Sequence, residues 1–112
     1  MVPEIDRLRA RRWVNGMNAE RRNLDLDDFV FDLVEGPSTI ELVERHADIV
    51  ESLVRFRYTK TQSAWRVQHH VGAGRFRAVQ FIEPTRYLAE LLVEVNELRD
   101  HFVQSLLVPN QV

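Results

Sequence analysis

Five arginines carry the clearest chemistry in this chain. Arg55, Arg57, Arg66, Arg75 and Arg77 stand in short alternating runs, with Gln68 and His70 in step with Arg66. A guanidinium presents planar donors that match a carboxylate or a phosphate at two points. Residues 52–82, which hold all five, contain no Asp or Glu, so no acid of the same segment neutralises them. The pattern predicts a ladder of donors, Arg55, Arg57, Arg66, His70, Arg75 and Arg77, for a polyanion or an acidic protein. Two plainer readings stand beside it. The arginines can guard a solvated strand face, or the preceding acidic segment can neutralise them.

Other residue groups offer less. His69 and His70 are adjacent, and neighbours in a strand point to opposite faces, so they do not share a metal ion. Glu97 and His101 share a helical face, but two ligands do not make a site. His46 lies within an apolar stripe and reads as a buried, hydrogen-bonded core histidine. Gly72-Ala73-Gly74 lacks the third glycine and following helix of a phosphate loop, and reads as a hairpin turn. Ser63 and His70 have no spacing that supports a catalytic arrangement. No metal, cofactor or catalytic residue is expected.

The charge is sorted along the chain. By segment the formal charge is +3 over 1–22, −8 over 23–51, +6 over 52–82 and −3 over 83–112. Such sorting concerns partners rather than fold. At 112 residues the chain is a single domain. It has no cysteine, which removes disulfides, thiolate zinc sites and Cys nucleophiles. The apolar runs are too short to span a bilayer, and a cytoplasmic location or a place within a soluble assembly is expected.

The elements that must position these residues follow from period. Residues 4–22 are helix-prone, with Ala10, Trp13, Val14 and Met17 on one face. Ile5 and Leu8 fall off that face. With Arg7 and Arg9 they suggest a basic arm over 1–9 that docks elsewhere. Leu26, Phe29, Val30, Leu33 and Val34 form a stripe that predicts a helix over 25–35. Ser38-Thr39-Ile40-Glu41 matches a capping box and predicts a second helix over 38–52. Its outer side would be an acidic docking face of Glu41, Glu44, Asp48 and Glu51.

Period two then replaces the helical period. Val54, Phe56 and Tyr58, then Trp65, Val67 and His69, then Phe76 and Ala78, alternate with polar residues. This predicts a three-stranded antiparallel meander at 53–59, 64–71 and 75–82, with Phe56, Tyr58, Trp65 and Phe76 on its core face. A single helix over 38–71, in an all-α bundle, is the rival. Pro84 opens a long amphipathic helix to about residue 107, lined by Tyr87, Leu88, Leu91, Val95, Leu98, Phe102 and Leu106. The expected fold is therefore α+β: N-terminal helices, a small meander and a long C-terminal helix.

The expected function is a non-catalytic interaction or assembly subunit, docking on copies of itself or on an acidic-surfaced protein. A ring or connector component of a larger particle would suit it. A nucleic-acid-binding module using the 52–82 segment is the alternative, and a small enzyme or ligand-binding domain is a third class. The order of elements loosely resembles a winged helix, with 64–82 as the wing. The helix that would recognise DNA is the acidic one, however, and phosphates repel it.

Overall fold

The computed structural model describes residues 2–25, 28–79 and 82–97. Helix α1 spans Glu4–Asn23, and five strands follow: β1 Val30–Glu35, β2 Thr39–His46, β3 Ile49–Thr59, β4 Ala64–Gly72 and β5 Arg75–Ala78. Helix α2 spans Leu88–Glu97. The strands form one antiparallel sheet in the order β1-β2-β3-β4-β5. Among the described residues no helix is long and apolar enough to cross a membrane.

This corrects the expected architecture. The sheet has five strands where three are predicted, and the segments read as helices over 25–35 and 38–52 supply β1, β2 and the start of β3. Neither the winged helix nor the all-α bundle survives. The described part of the C-terminal helix is ten residues and begins at Leu88 rather than Pro84. The predicted positions Leu98, His101, Phe102 and Leu106 lie outside the described residues.

Alternation places the core on one face. Phe31 and Leu33 of β1, Ile40 and Leu42 of β2, Val54, Phe56 and Tyr58 of β3, and Trp65 and Val67 of β4 all face the helices. Ala10, Val14 and Met17 of α1 and Leu88, Leu91, Leu92 and Val95 of α2 close over them. Tyr87, expected in this core, is 60% exposed. Among the described residues no helix packs on the opposite face of the sheet.

Two irregularities set which residue faces which way. Leu53 is the extra residue where the β2–β3 register shifts between Leu42 and Val43. Val71 is the extra residue where the β4–β5 register shifts between His70 and Gly72. An inserted residue moves everything beyond it to the other face. The hairpins are tight. Ala73 and Gly74 link β4 to β5 with φ of 53° and 71°, the two left-handed positions such a turn requires. Ala47, at φ 54°, turns β2 into β3 without a glycine or asparagine.

The free edge of β1 is closed by α1. The Asn18 side-chain amide donates to the Phe31 carbonyl at 2.9 Å, and the Phe31 N–H donates back to Asn18 Oδ1 at 2.8 Å. Arg21 donates to the Phe29 carbonyl at 2.7 Å, and the Leu33 N–H donates to Asp32 Oδ1 at 2.8 Å. One side chain thus imitates a neighbouring strand at Phe31 and protects an edge that would otherwise template pairing. Asn18→Ala should cost about 2–3 kcal/mol, because two backbone groups lose their partners. A denaturant melt showing a loss below about 0.5 kcal/mol, less than one ordinary hydrogen bond, would remove this role.

Candidate functional site

The candidate site is the sheet face that neither described helix covers. Arg57 of β3 and Arg66 of β4 are register partners there, directly opposite each other, and both are exposed. Like charges opposite one another destabilise a ladder. Neither forms an ion pair with a described residue. Beside them Arg55 donates from Nε to Gln68 Oε1 at 2.8 Å, and its guanidinium lies 4.0 Å above the Phe76 ring. His70 meets the same ring edge-on, with centroids 5.4 Å apart. Arg55 is therefore half-buried and held flat, while Arg57 and Arg66 project freely.

The structure divides the predicted ladder. Arg55, Arg57, Arg66 and His70 share the open face, but Arg75 and Arg77 do not. Arg77 pairs with His69 and Phe76 with His70, so β5 is turned over by the Val71 bulge. Phe76, predicted for the core, lies on the open face and is half-buried there. Arg75 and Arg77 are exposed on the other side, at the rim of the sheet.

The predicted acidic face does not form. Glu44 is buried, 4% exposed, and binds Arg21 of α1 at 2.7 Å. Glu41 lies on the open face and accepts from Ser52 Oγ at 2.7 Å. Glu51 is the register partner of Glu44, and Asp48 sits in the β2–β3 turn. These four residues share no helical side, because their segment is a hairpin. His46, expected in the core, is exposed and stacks on Phe29 with centroids 4.4 Å apart.

Nor is the N-terminal arm a free extension. The Val2 N–H donates to the Pro37 carbonyl at 3.1 Å, and Val2 is buried. Arg7 and Arg11 bind Glu35 at 3.1 and 3.0 Å, and Arg7 also donates to the Gly36 carbonyl. Arg9 pairs with Asp6 at 3.4 Å. Ile5 and Leu8 remain exposed on the outer side of α1.

Charge sorting thus has an internal use. The basic α1 neutralises acids of β1 and β2, and Arg45 pairs with Asp32 at 2.9 Å. No described ion pair reaches the basic block of β3, β4 and β5. Two carboxyls record the difference in setting. Hydrogen bonds from Arg11, then Arg7, outweigh desolvation and hold Glu35 below its ordinary range. Its stabilising contribution is present above that range and is lost as pH falls through the folded value. Burial outweighs the Arg21 bond and raises Glu44. The sign there is opposite: the contribution is present at acid pH and is lost as pH rises through the folded value.

Other hollows carry less chemistry. A groove of about 410 Å³ between α1 and α2 is lined mainly by Trp13, Met17, Leu92 and Val93. A hollow of about 190 Å³ beside the β2–β3 turn is lined by Phe29, Glu44, His46, Ile49 and Glu51. Among the described residues no three metal-ligating side chains converge. No family model, curated protein or solved structure matches the chain.

Proposed function

We propose that this chain is a non-catalytic docking subunit that holds an acidic protein surface against the open face of its sheet. The observation that carries the reading is the Arg57–Arg66 pair. Two guanidiniums lie opposite each other on a face that neither described helix covers, with no ion-pair partner among the described residues. A carboxylate from outside relieves their repulsion and gains charge-assisted hydrogen bonds.

The rest of the face favours a protein over a nucleic acid. Val34 and Val50, on its other half, are 48% and 49% exposed. Apolar residues beside arginine and an aromatic ring are the composition of a protein interface, whereas phosphates gain nothing from valines. A second copy of the chain fits poorly. Symmetric pairing opposes the same patches, and the acids of β1 and β2 are largely engaged within the subunit.

One observation supports a second reading. Phe76 and His70 share the face with the arginines, as in surfaces that stack single-stranded bases. Fluorescence anisotropy with a labelled poly-glutamate peptide and with an oligothymidylate of equal length separates the two. The peptide should bind at low salt, and Arg57→Glu with Arg66→Glu should weaken it at least about tenfold, the worth of one charged hydrogen bond. Binding of the oligothymidylate alone would replace this reading with the nucleic-acid one. Binding of neither would end both.

A further inference from the structure

We propose that the partner docks through an extended acidic segment that adds to the free edge of β5 as a sixth, antiparallel strand. It goes beyond the docking reading above: it shares only the acidic protein partner and places that partner's segment at a different feature, the β5 edge with Arg75 and Arg77.

The two edges of the sheet are treated differently. The β1 edge is occupied by Asn18, Arg21 and the Asp32 side chain. The β5 edge has no such cover among the described residues. The Val79 N–H donates to the Val67 carbonyl at 2.9 Å, so alternation turns the backbone of Arg77 towards β4 and that of Phe76 and Ala78 outward. Those outward N–H and C=O groups have no described partner. They are a template for strand addition, where backbone bonds supply affinity and alternate side chains supply selection.

Side chains along this edge state what fits. Arg75 and Arg77 point to one face, Phe76 and Ala78 to the other. An added strand therefore places carboxylates opposite Arg75 and Arg77, where opposite charges stabilise a ladder. Between them an apolar residue meets Phe76. The segment recognised reads acid–apolar–acid. A second copy of β5 is a poor occupant, because antiparallel pairing of two such edges sets arginine against arginine.

The test uses the full chain and an acetylated, amidated octapeptide alternating Glu and Val. A twin peptide carries N-methyl groups on its valines, which removes the donors facing β5 and keeps the charge. The parent should bind, and the twin should not. Arg75→Glu with Arg77→Glu should abolish binding. Ala78→Pro should weaken it at least about fivefold, the worth of one backbone hydrogen bond. Its N–H faces away from β4, so proline there leaves the ladder intact. Peptide addition should also slow amide exchange at Phe76 and Ala78.

The outcomes separate this inference from the docking reading. If the twin binds as well as the parent, and only Arg57→Glu with Arg66→Glu abolishes binding, face docking stands and strand addition is overturned. If the Arg75 and Arg77 reversal alone abolishes binding and the twin fails, strand addition stands and the open face loses its role. Binding of neither peptide overturns both. A concentration-dependent dimer in light scattering that Ala78→Pro disperses would make a second copy the occupant and overturn the proposal.

Discussion

Arg21→Ala is expected to cost about 3–5 kcal/mol, the cost of leaving one partner of a buried ion pair alone. Arg21 is 11% exposed in its side chain and Glu44 4%, and they meet at 2.7 Å. The same guanidinium donates to the Phe29 carbonyl and lies 3.7 Å above the Phe31 ring. It therefore ties the end of α1 to both β1 and β2. Its removal strands a carboxylate that burial already disfavours and that faces Glu51. Adding Glu44→Gln should recover on the order of 1–2 kcal/mol, since the two residues act as a unit. The deficit should also shrink as pH falls through the folded value of Glu44, which burial holds above the ordinary glutamate range, because a protonated Glu44 no longer needs the cation. Chemical denaturation at neutral and acid pH measures both effects. A deficit independent of pH would show that Arg21 acts through packing alone.

Phe56→Ala should cost about 3–5 kcal/mol through lost burial and the cavity left behind. Phe56 is fully buried at the centre of β3, between its register partners Ile40 and Val67. Trp13 of α1 meets its ring edge-on at 5.9 Å. No neighbouring helix can collapse into the space without leaving the sheet, so relaxation recovers little. A Phe56→Leu variant should lose markedly less, because it retains most of the volume. Equal losses for the two would indicate that ring geometry, rather than filled space, determines the contribution. The measurement is the midpoint and slope of urea unfolding, with an unchanged slope required for a simple reading.

Both predictions bear on how far the fold is legible in sequence. Phe56, Tyr58, Trp65 and Val67 reveal their inward orientation by alternation, which in a half-covered sheet leaves little freedom. The glycines at 72 and 74 reveal a turn because a tight hairpin needs positive φ there. β1 is different. Leu26, Phe29, Val30, Leu33 and Val34 satisfy helical spacing, while Phe31 and Leu33 satisfy a strand, and nothing local decides between them. β2 begins at a capping-box pattern, and its turn through Ala47 lacks the usual glycine or asparagine. The missed functional feature is the orientation of β5. A uniform alternation places Phe76 inside and Arg75 and Arg77 outside. One extra residue, Val71, reverses all three, and no residue type in the stretch marks it.

The sequence by itself determined the N-terminal helix, the inward face of the central strands, the β4–β5 turn and the separation of acidic from basic segments. Each is a local property: a period, a backbone requirement or a count of charges. Only the tertiary structure decided that residues 30–46 become strands, because burying Phe31, Ile40 and Leu42 against the rest of the sheet outweighs helical spacing. It also decided which charges cancel. Glu35 and Glu44 meet arginines of α1 because that helix lies across β1, a juxtaposition of residues about twenty to thirty positions apart. Arg57 and Arg66 meet no acid among the described residues for the same reason: both described helices pack on the other face, and the one acid of β2 nearest the block, Glu41, stands opposite Arg55.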